Sequence, residues 1–168
     1  MPGKATRDGE PVCSSVRTMK IGHVHLKVSD LDRSIAFYRD VLGFELMARM
    51  PGAAFLADDE YHHHIGLNTW QSAGADPPPP RSTGLFHLAI LHPTRTELAG
   101  GLRRVLEAGV ELTGASDHGV SEAIYFNDPD LNGVEIYCDR PREEWPRLTD
   151  GSLSIFTAPL DLEDLLAA

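Results

Sequence analysis

The sequence is poor in cysteine: Cys13 and Cys138 are the only two in 168 residues. Two thiols cannot build a disulfide framework, so a reducing, cytoplasmic setting is the expectation. Basic residues are also scarce, 15 Lys and Arg against 25 Asp and Glu, for a net charge of −10. A nucleic-acid partner requires a basic face for its phosphates, which excludes DNA or RNA as the main partner. No apolar run approaches the roughly 18 residues that span a bilayer, so no membrane partner is expected. The opening segment, MPGKATRDGEPVCSSVRTMK, has no continuous apolar stretch and does not read as a secretory signal. What remains is an ordinary globular balance, 42% apolar and 24% charged. Its length suits one domain or two half-size modules. Histidine is the exception. All eight histidines lie between His23 and His118, and three are consecutive.

Residues 1–18 are polar and without periodicity, and read as a flexible tail. Over 21–28 the chain alternates, with Val24, Leu26 and Val28 on one face and His23, His25 and Lys27 on the other, which predicts a strand. Ser29 or Asp30 can cap a helix over 31–42 that stops at Gly43. Strands are expected over 44–50, 53–57 and 62–69. The segment 71–83, with four consecutive prolines from Pro77 to Pro80, cannot be a central strand or helix and reads as a connector. The same grammar then returns: a strand over 86–91, a helix over 96–108 ended by Gly109, and strands near 110–113, 123–127 and 134–138. Aligning the halves sets His23-Val24-His25-Leu26 over His87-Leu88-Ala89-Ile90. The expected fold is therefore α+β, two βαβββ modules at about 19–70 and 84–140 whose mixed sheet curls around a cleft. A C-terminal tail follows over 141–168. Neither half alone could bury much core.

The strand phases give the chemistry. Facing away from the helix-packed side are His23, His25 and Lys27; then His62, His64, Gly66 and Asn68; then His87, Ala89 and Leu91; and last Glu135, Tyr137 and Asp139. Each of four strands thus presents a metal-ligand type, His23, His64, His87 and Glu135 among them. A lone strand histidine is more often a packing or surface residue than a ligand. Four in matching positions of a repeat point to a divalent first-row metal, which two neutral imidazoles and a carboxylate suit while leaving a coordination position open. The triplet His62-His63-His64 taken alone is a weaker signal, because internal histidine runs also occur on plain surfaces.

Three segments, GHVHLKVSDLDRSIAFYRDVLGF from Gly22, YHHHIGLNTW from Tyr61 and SEAIYFNDPDLNGVEIY from Ser121, resemble the vicinal oxygen chelate superfamily of glyoxalases, bleomycin resistance proteins and type I extradiol dioxygenases. The likeness runs from about residue 19 to 140 and is strongest to the catechol 2,3-dioxygenase-like subgroup. It implies a metal held by His23, His87 and Glu135, with Fe(II) first and Mn(II), Ni(II) or Zn(II) as alternatives. A further stretch, from His118 through Ile124-Tyr125 and Asp128-Pro129 to Glu135, resembles the extradiol signature and implies that His118 and Tyr125 face substrate. The resemblance gives glyoxalase I a glutamate at the fourth position, where this chain offers the histidine triplet. His64 is then the acid/base residue, with His63 as alternate because the family alignment can be drawn one residue earlier. The implied function is a metal-dependent extradiol dioxygenase acting on a small aromatic diol. A glyoxalase-type isomerase or lyase and a small-molecule-binding resistance protein are the alternatives. The family also implies a homodimer, in which the C-terminal tail covers apolar surface. The chain departs from the family pattern at Leu131, where glycine is usual.

Overall fold

The computed structural model describes residues 20–168. The tail expected over 1–18, and Cys13 within it, lie outside the described residues. The first module runs β1 (Val24–Lys27), α1 (Leu31–Ala36), β2 (Glu45–Met50), β3 (Ala53–Ala57) and β4 (Ile65–Asn68). Asp30 caps α1 by accepting the Arg33 amide at 3.1 Å. The helix expected to reach residue 42 does so by widening: Phe37–Val41 forms π-helical turns, and the Leu42 N–H reaches back to the Phe37 carbonyl at 3.3 Å. The widened turn leaves both Phe37 and Tyr38 buried.

The second module repeats the order with β5 (Leu88–Leu91), α2 (Arg95–Glu107), β6 (Leu112–Asp117), β7 (Ser121–Asn127) and β8 (Gly133–Asp139). Thr94 caps α2, accepting the Glu97 amide at 3.2 Å. The helix buries Leu98, Ala99, Leu102 and Val105 at helical spacing. The first sheet has strand order β1-β4-β3-β2, and the second β5-β8-β7-β6 with one added strand, β9 (Ala158–Pro159). β1 with β4 and β5 with β8 are parallel; the other pairs are antiparallel. Even the irregularities repeat. β2 slips register between Leu46 and Ala48, and β6 between Leu112 and Gly114.

Register corrects one expectation. Val24 pairs with Ile65 and His25 with Gly66, while Leu88 pairs with Val134 and Ala89 with Glu135. Gly66 therefore holds the first-module position that Glu135 holds in the second, and the counterpart of His64 is Gly133. His64 and Glu135 do not occupy matching positions. Alternation fixes only the face a side chain takes; the hydrogen-bond ladder fixes which residue stands opposite, and the two differ here by one full pleat.

One core cluster draws on both modules, including Leu26, Ile35 and Leu67 from the first and Leu102, Ile124 and Ile136 from the second. A buried polar clamp adds direction to this apolar contact. Asp130 accepts the Ser29 amide at 3.0 Å, the Ser34 hydroxyl at 3.1 Å and the Arg33 guanidinium at 2.7 Å. Asp128 accepts the hydroxyl of fully buried Tyr38 at 3.0 Å and the Asp130 and Asn132 amides at 2.9 and 2.8 Å. Burial raises the Asp128 carboxyl above its ordinary pKa, and its donors act in the opposite direction. Between them Leu131 adopts φ +64 with its side chain 60% exposed. Leucine thus keeps the left-handed backbone that glycine would take without strain.

The C-terminal tail packs on its own chain. β9 extends the second sheet through Ser116–Pro159 and Asp117–Ala158 pairs. The short α3 (Leu162–Leu166), capped by Asp161, packs against α2 and buries Leu165 completely. No described helix is long and apolar enough to cross a membrane.

Candidate metal centre

His87 stands immediately before β5, and Glu135 is the third residue of β8. The parallel β5–β8 ladder brings His87 Nε2 to 2.8 Å from Glu135 Oε2. Gly133 permits this approach: a Cβ there would collide with the Phe86 carbonyl and crowd the His87 Cβ at 3.1 Å. Across the β7–β8 ladder, Tyr125 pairs directly with Glu135 and donates its hydroxyl to Oε1 at 3.1 Å. The same hydroxyl lies 2.7 Å from His118 Nε2, and His118 Nδ1 lies 2.8 Å from the Phe156 carbonyl oxygen. Glu135 is 8% exposed, and a carboxylate so buried requires donors on both oxygens. Burial, then the Glu135 charge and hydrogen bond, push the Tyr125 pKa up to about 12, so the phenol stays protonated and remains a donor.

His23 precedes β1 and is exposed. It lines a crevice of about 830 Å³ between the modules, together with His64, His87 and the apolar Val24, Ile65, Leu88 and Ile90. Its ring packs against His63, with centroids 4.5 Å apart. Of the three expected ligands, the structure therefore joins His87 and Glu135 and sets His23 on the wall of the crevice that His87 also lines. Among the described residues, no three His, Cys, Asp or Glu side chains close into one ligand cluster.

The triplet departs from the expected alternation. β4 begins at Ile65, so only His64 is tied into the ladder, donating its amide to the Leu56 carbonyl at 2.8 Å and accepting from Val24 at 2.9 Å. His62 and His63 precede it, their Nδ1 atoms 2.7 Å apart, and His63 turns toward His23 and Phe55 instead of the opposite face. Desolvation, then the neighbouring imidazoles, hold the His63 pKa below its ordinary value. His64 accepts from the Asp58 amide at 3.4 Å and stacks near Tyr61.

The donor set fits a divalent first-row ion. An imidazole nitrogen and a carboxylate oxygen 2.8 Å apart have nearly the separation of two ligands sharing one ion, about 3 Å for bonds of about 2.1 Å at right angles. An ion bound there would take the place of any proton bridging His87 and Glu135.

The family model for the Glyoxalase/Bleomycin resistance protein/Dioxygenase superfamily matches residues 20–136. This match and the paired βαβββ modules place the chain in that class, and the chain belongs to the superfamily. It is 42% identical over 147 residues to a catechol-2,3-dioxygenase of Bacillus subtilis, covering 87% of this chain and 50% of that protein. It is 32% identical over 122 residues to a biphenyl-2,3-diol 1,2-dioxygenase of Rhodococcus globerulus, covering 73% and 64%. The chain thus spans about half to two thirds of the length of these relatives. A glyoxalase/dioxygenase structure from Nostoc punctiforme superposes with a TM-score of 0.62 at 20% identity, covering 81% of this chain and all of that one, which supports the fold.

Three structural features escaped the sequence. Gly133 gave a weak signal, a glycine at the start of an otherwise apolar strand. The pairing of Tyr38 with Asp128 needed the third dimension. The Phe156 contact is made by a backbone carbonyl, which side-chain patterns do not report.

Proposed function

We propose that the protein is a metal-dependent extradiol-type dioxygenase acting on a small aromatic diol, with the metal held by His23, His87 and Glu135. The observation that carries this reading is the His87–Glu135 pair at 2.8 Å with the Tyr125 hydroxyl on the second carboxylate oxygen. The relation to the Bacillus catechol-2,3-dioxygenase supports it. When bound, the ion, Fe(II) in this reading, supplies Lewis acidity and an electron path between diol and dioxygen.

The chain's own residues do the rest. Glu135 is fixed from two sides and offers one oriented oxygen to the ion. Tyr125, a neutral phenol, donates a hydrogen bond at the edge of the centre. His64, on the crevice wall with His23 and His87, takes the diol proton as acid/base. The apolar crevice wall excludes water from an aromatic ring. Gly66 at the counterpart of Glu135 argues against the glyoxalase-type alternative, which wants a carboxylate base from the first module.

Free, buried Cys138 fits a reducing, cytoplasmic location. The exposed Leu153 and Ile155 of the tail support a homodimer, which a solution mass at micromolar concentration tests. The function itself is tested by loading the protein anaerobically with Fe(II) and adding catechol or 2,3-dihydroxybiphenyl. Stoichiometric oxygen uptake with a ring-cleaved product is expected. Loaded protein that consumes no oxygen with either diol, yet isomerises a thiohemiacetal, overturns the reading.

A further inference from the structure

The C-terminal segment 153–159 crosses the rim of the second module beside His118. Ser154 donates to the Pro146 carbonyl at 2.8 Å on one side, and β9 joins β6 on the other, so the segment is a strap anchored at both ends. Between the anchors it meets His118 twice. The Phe156 amide donates to the His118 carbonyl at 3.4 Å, and the His118 Nδ1–H donates to the Phe156 carbonyl at 2.8 Å. Gly119, at φ +75, makes room for this: a Cβ there would overlap the Phe156 ring.

A carbonyl can only accept, so this contact requires a proton on Nδ1 of His118. In a neutral imidazole, Nε2 is then the lone-pair nitrogen, and it faces the Tyr125 hydroxyl at 2.7 Å. That hydroxyl has one proton and two acceptors, His118 Nε2 and Glu135 Oε1 at 3.1 Å. The nearer acceptor is available only while the strap keeps the proton on the other ring nitrogen.

We infer that Phe156 is a positioning residue: through its carbonyl the strap locks His118 as the Nδ1–H tautomer and thereby gives Tyr125 a proton acceptor on the side away from Glu135. The carbonyl acts through His118 and touches no reacting atom. Its relevance to turnover rests on the dioxygenase reading, but the tautomer does not. Without the strap, neutral His118 would prefer the Nε2–H form of unrestrained imidazole, and its ring would present Tyr125 with a donor in place of the second acceptor that competes with Glu135.

The test is nitrogen NMR of the imidazoles in the ¹⁵N-labelled 168-residue chain, free of metal and substrate, at a pH above the imidazole range. His118, assigned by loss of its signals in His118→Gln, is expected to show a protonated Nδ1 and an unprotonated Nε2. In Gly119→Ala, where the new Cβ displaces the Phe156 ring, the two shifts are expected to move toward each other as the tautomers mix. Should that variant not fold, an ester in place of the 156–157 amide weakens the carbonyl as an acceptor without altering a side chain, and the same convergence is expected. An Nε2–H His118 in the unaltered protein overturns the inference, as does a folded variant with unchanged shifts. Because no turnover is read, a failed ring-cleavage assay and a failed tautomer lock are separate results.

Discussion

Gly66 of the first module stands in the register position that Glu135 holds in the second, opposite His25 where Glu135 is opposite Ala89. The exchange extends to the next strand, where Phe55 pairs with Gly66 as Tyr125 pairs with Glu135. The His25 ring fills the space over Gly66, 2.9 Å from where a Cβ would lie. One fold unit, used twice, thus carries a carboxylate and a phenol in one copy, and a glycine and a phenylalanine beside the His25 ring in the other.

This asymmetry predicts the behaviour of Tyr125→Phe, which gives the second module the first module's residue. The variant should fold and keep its metal, because Glu135 retains His87. Turnover of a catechol should fall by about a hundredfold, as for other positioned proton donors. Steady-state kinetics with a parallel metal assay checks this; unchanged turnover would remove Tyr125 from the mechanism.

His64 and its neighbours separate by variant. His64→Ala should keep most of its metal and lose turnover, since His64 lines the crevice and is the acid/base residue of the proposed function. His63→Ala should be affected less, through loss of packing on His23. Metal loss in His64→Ala would make it a fourth ligand. A dead His63→Ala beside an active His64→Ala would transfer the role to His63.

Leu131→Gly should stabilise the protein. It relieves a left-handed leucine at a cost of about 1–2 kcal/mol, offset by the greater freedom of glycine when unfolded, for a net gain of about 0.5–1 kcal/mol. Asp130→Ala should act in the opposite direction by about 2–3 kcal/mol, since it strands the Ser29 amide, the Ser34 hydroxyl and the Arg33 guanidinium. Chemical denaturation measures both.

His92 gives stability a pH dependence. Burial, then Arg104, hold its pKa below the ordinary value of 6.5, so the native state prefers it neutral. The unfolded chain then binds the additional proton, and this stabilisation is full above about 6.5 and lost as pH falls toward the folded value. The melting temperature of the unaltered protein should decline through this window, and that of His92→Gln should decline less. Equal slopes would show that His92 does not contribute.

Much of this architecture was legible because it rests on local rules. Alternation over 21–28, the Asp30 cap and the proline-rich connector follow from spacing and backbone chemistry, and the doubled element order follows from them. That His87 and Glu135 would stand near one another was legible from the same alternation, which puts both on the polar phase of their segments. Ladder register was not, since it depends on which hydrogen bonds form between distant strands, and so His64 was aligned with the wrong partner. Nor was the direction of His62 and His63, which lie ahead of β4 where alternation does not act. The strap was hidden because its contact with His118 uses the Phe156 backbone, which every residue carries.

The central claim is a metal held by His87 and Glu135 across the β5–β8 ladder, with His23 brought in from the first module. The direct measurement is metal content after Fe(II) loading and desalting, in the unaltered protein and in His87→Ala and Glu135→Ala, with circular dichroism to confirm folding. The account predicts one ion per chain in the unaltered protein and none in either folded variant. A folded His87→Ala or Glu135→Ala that retains full occupancy would contradict it.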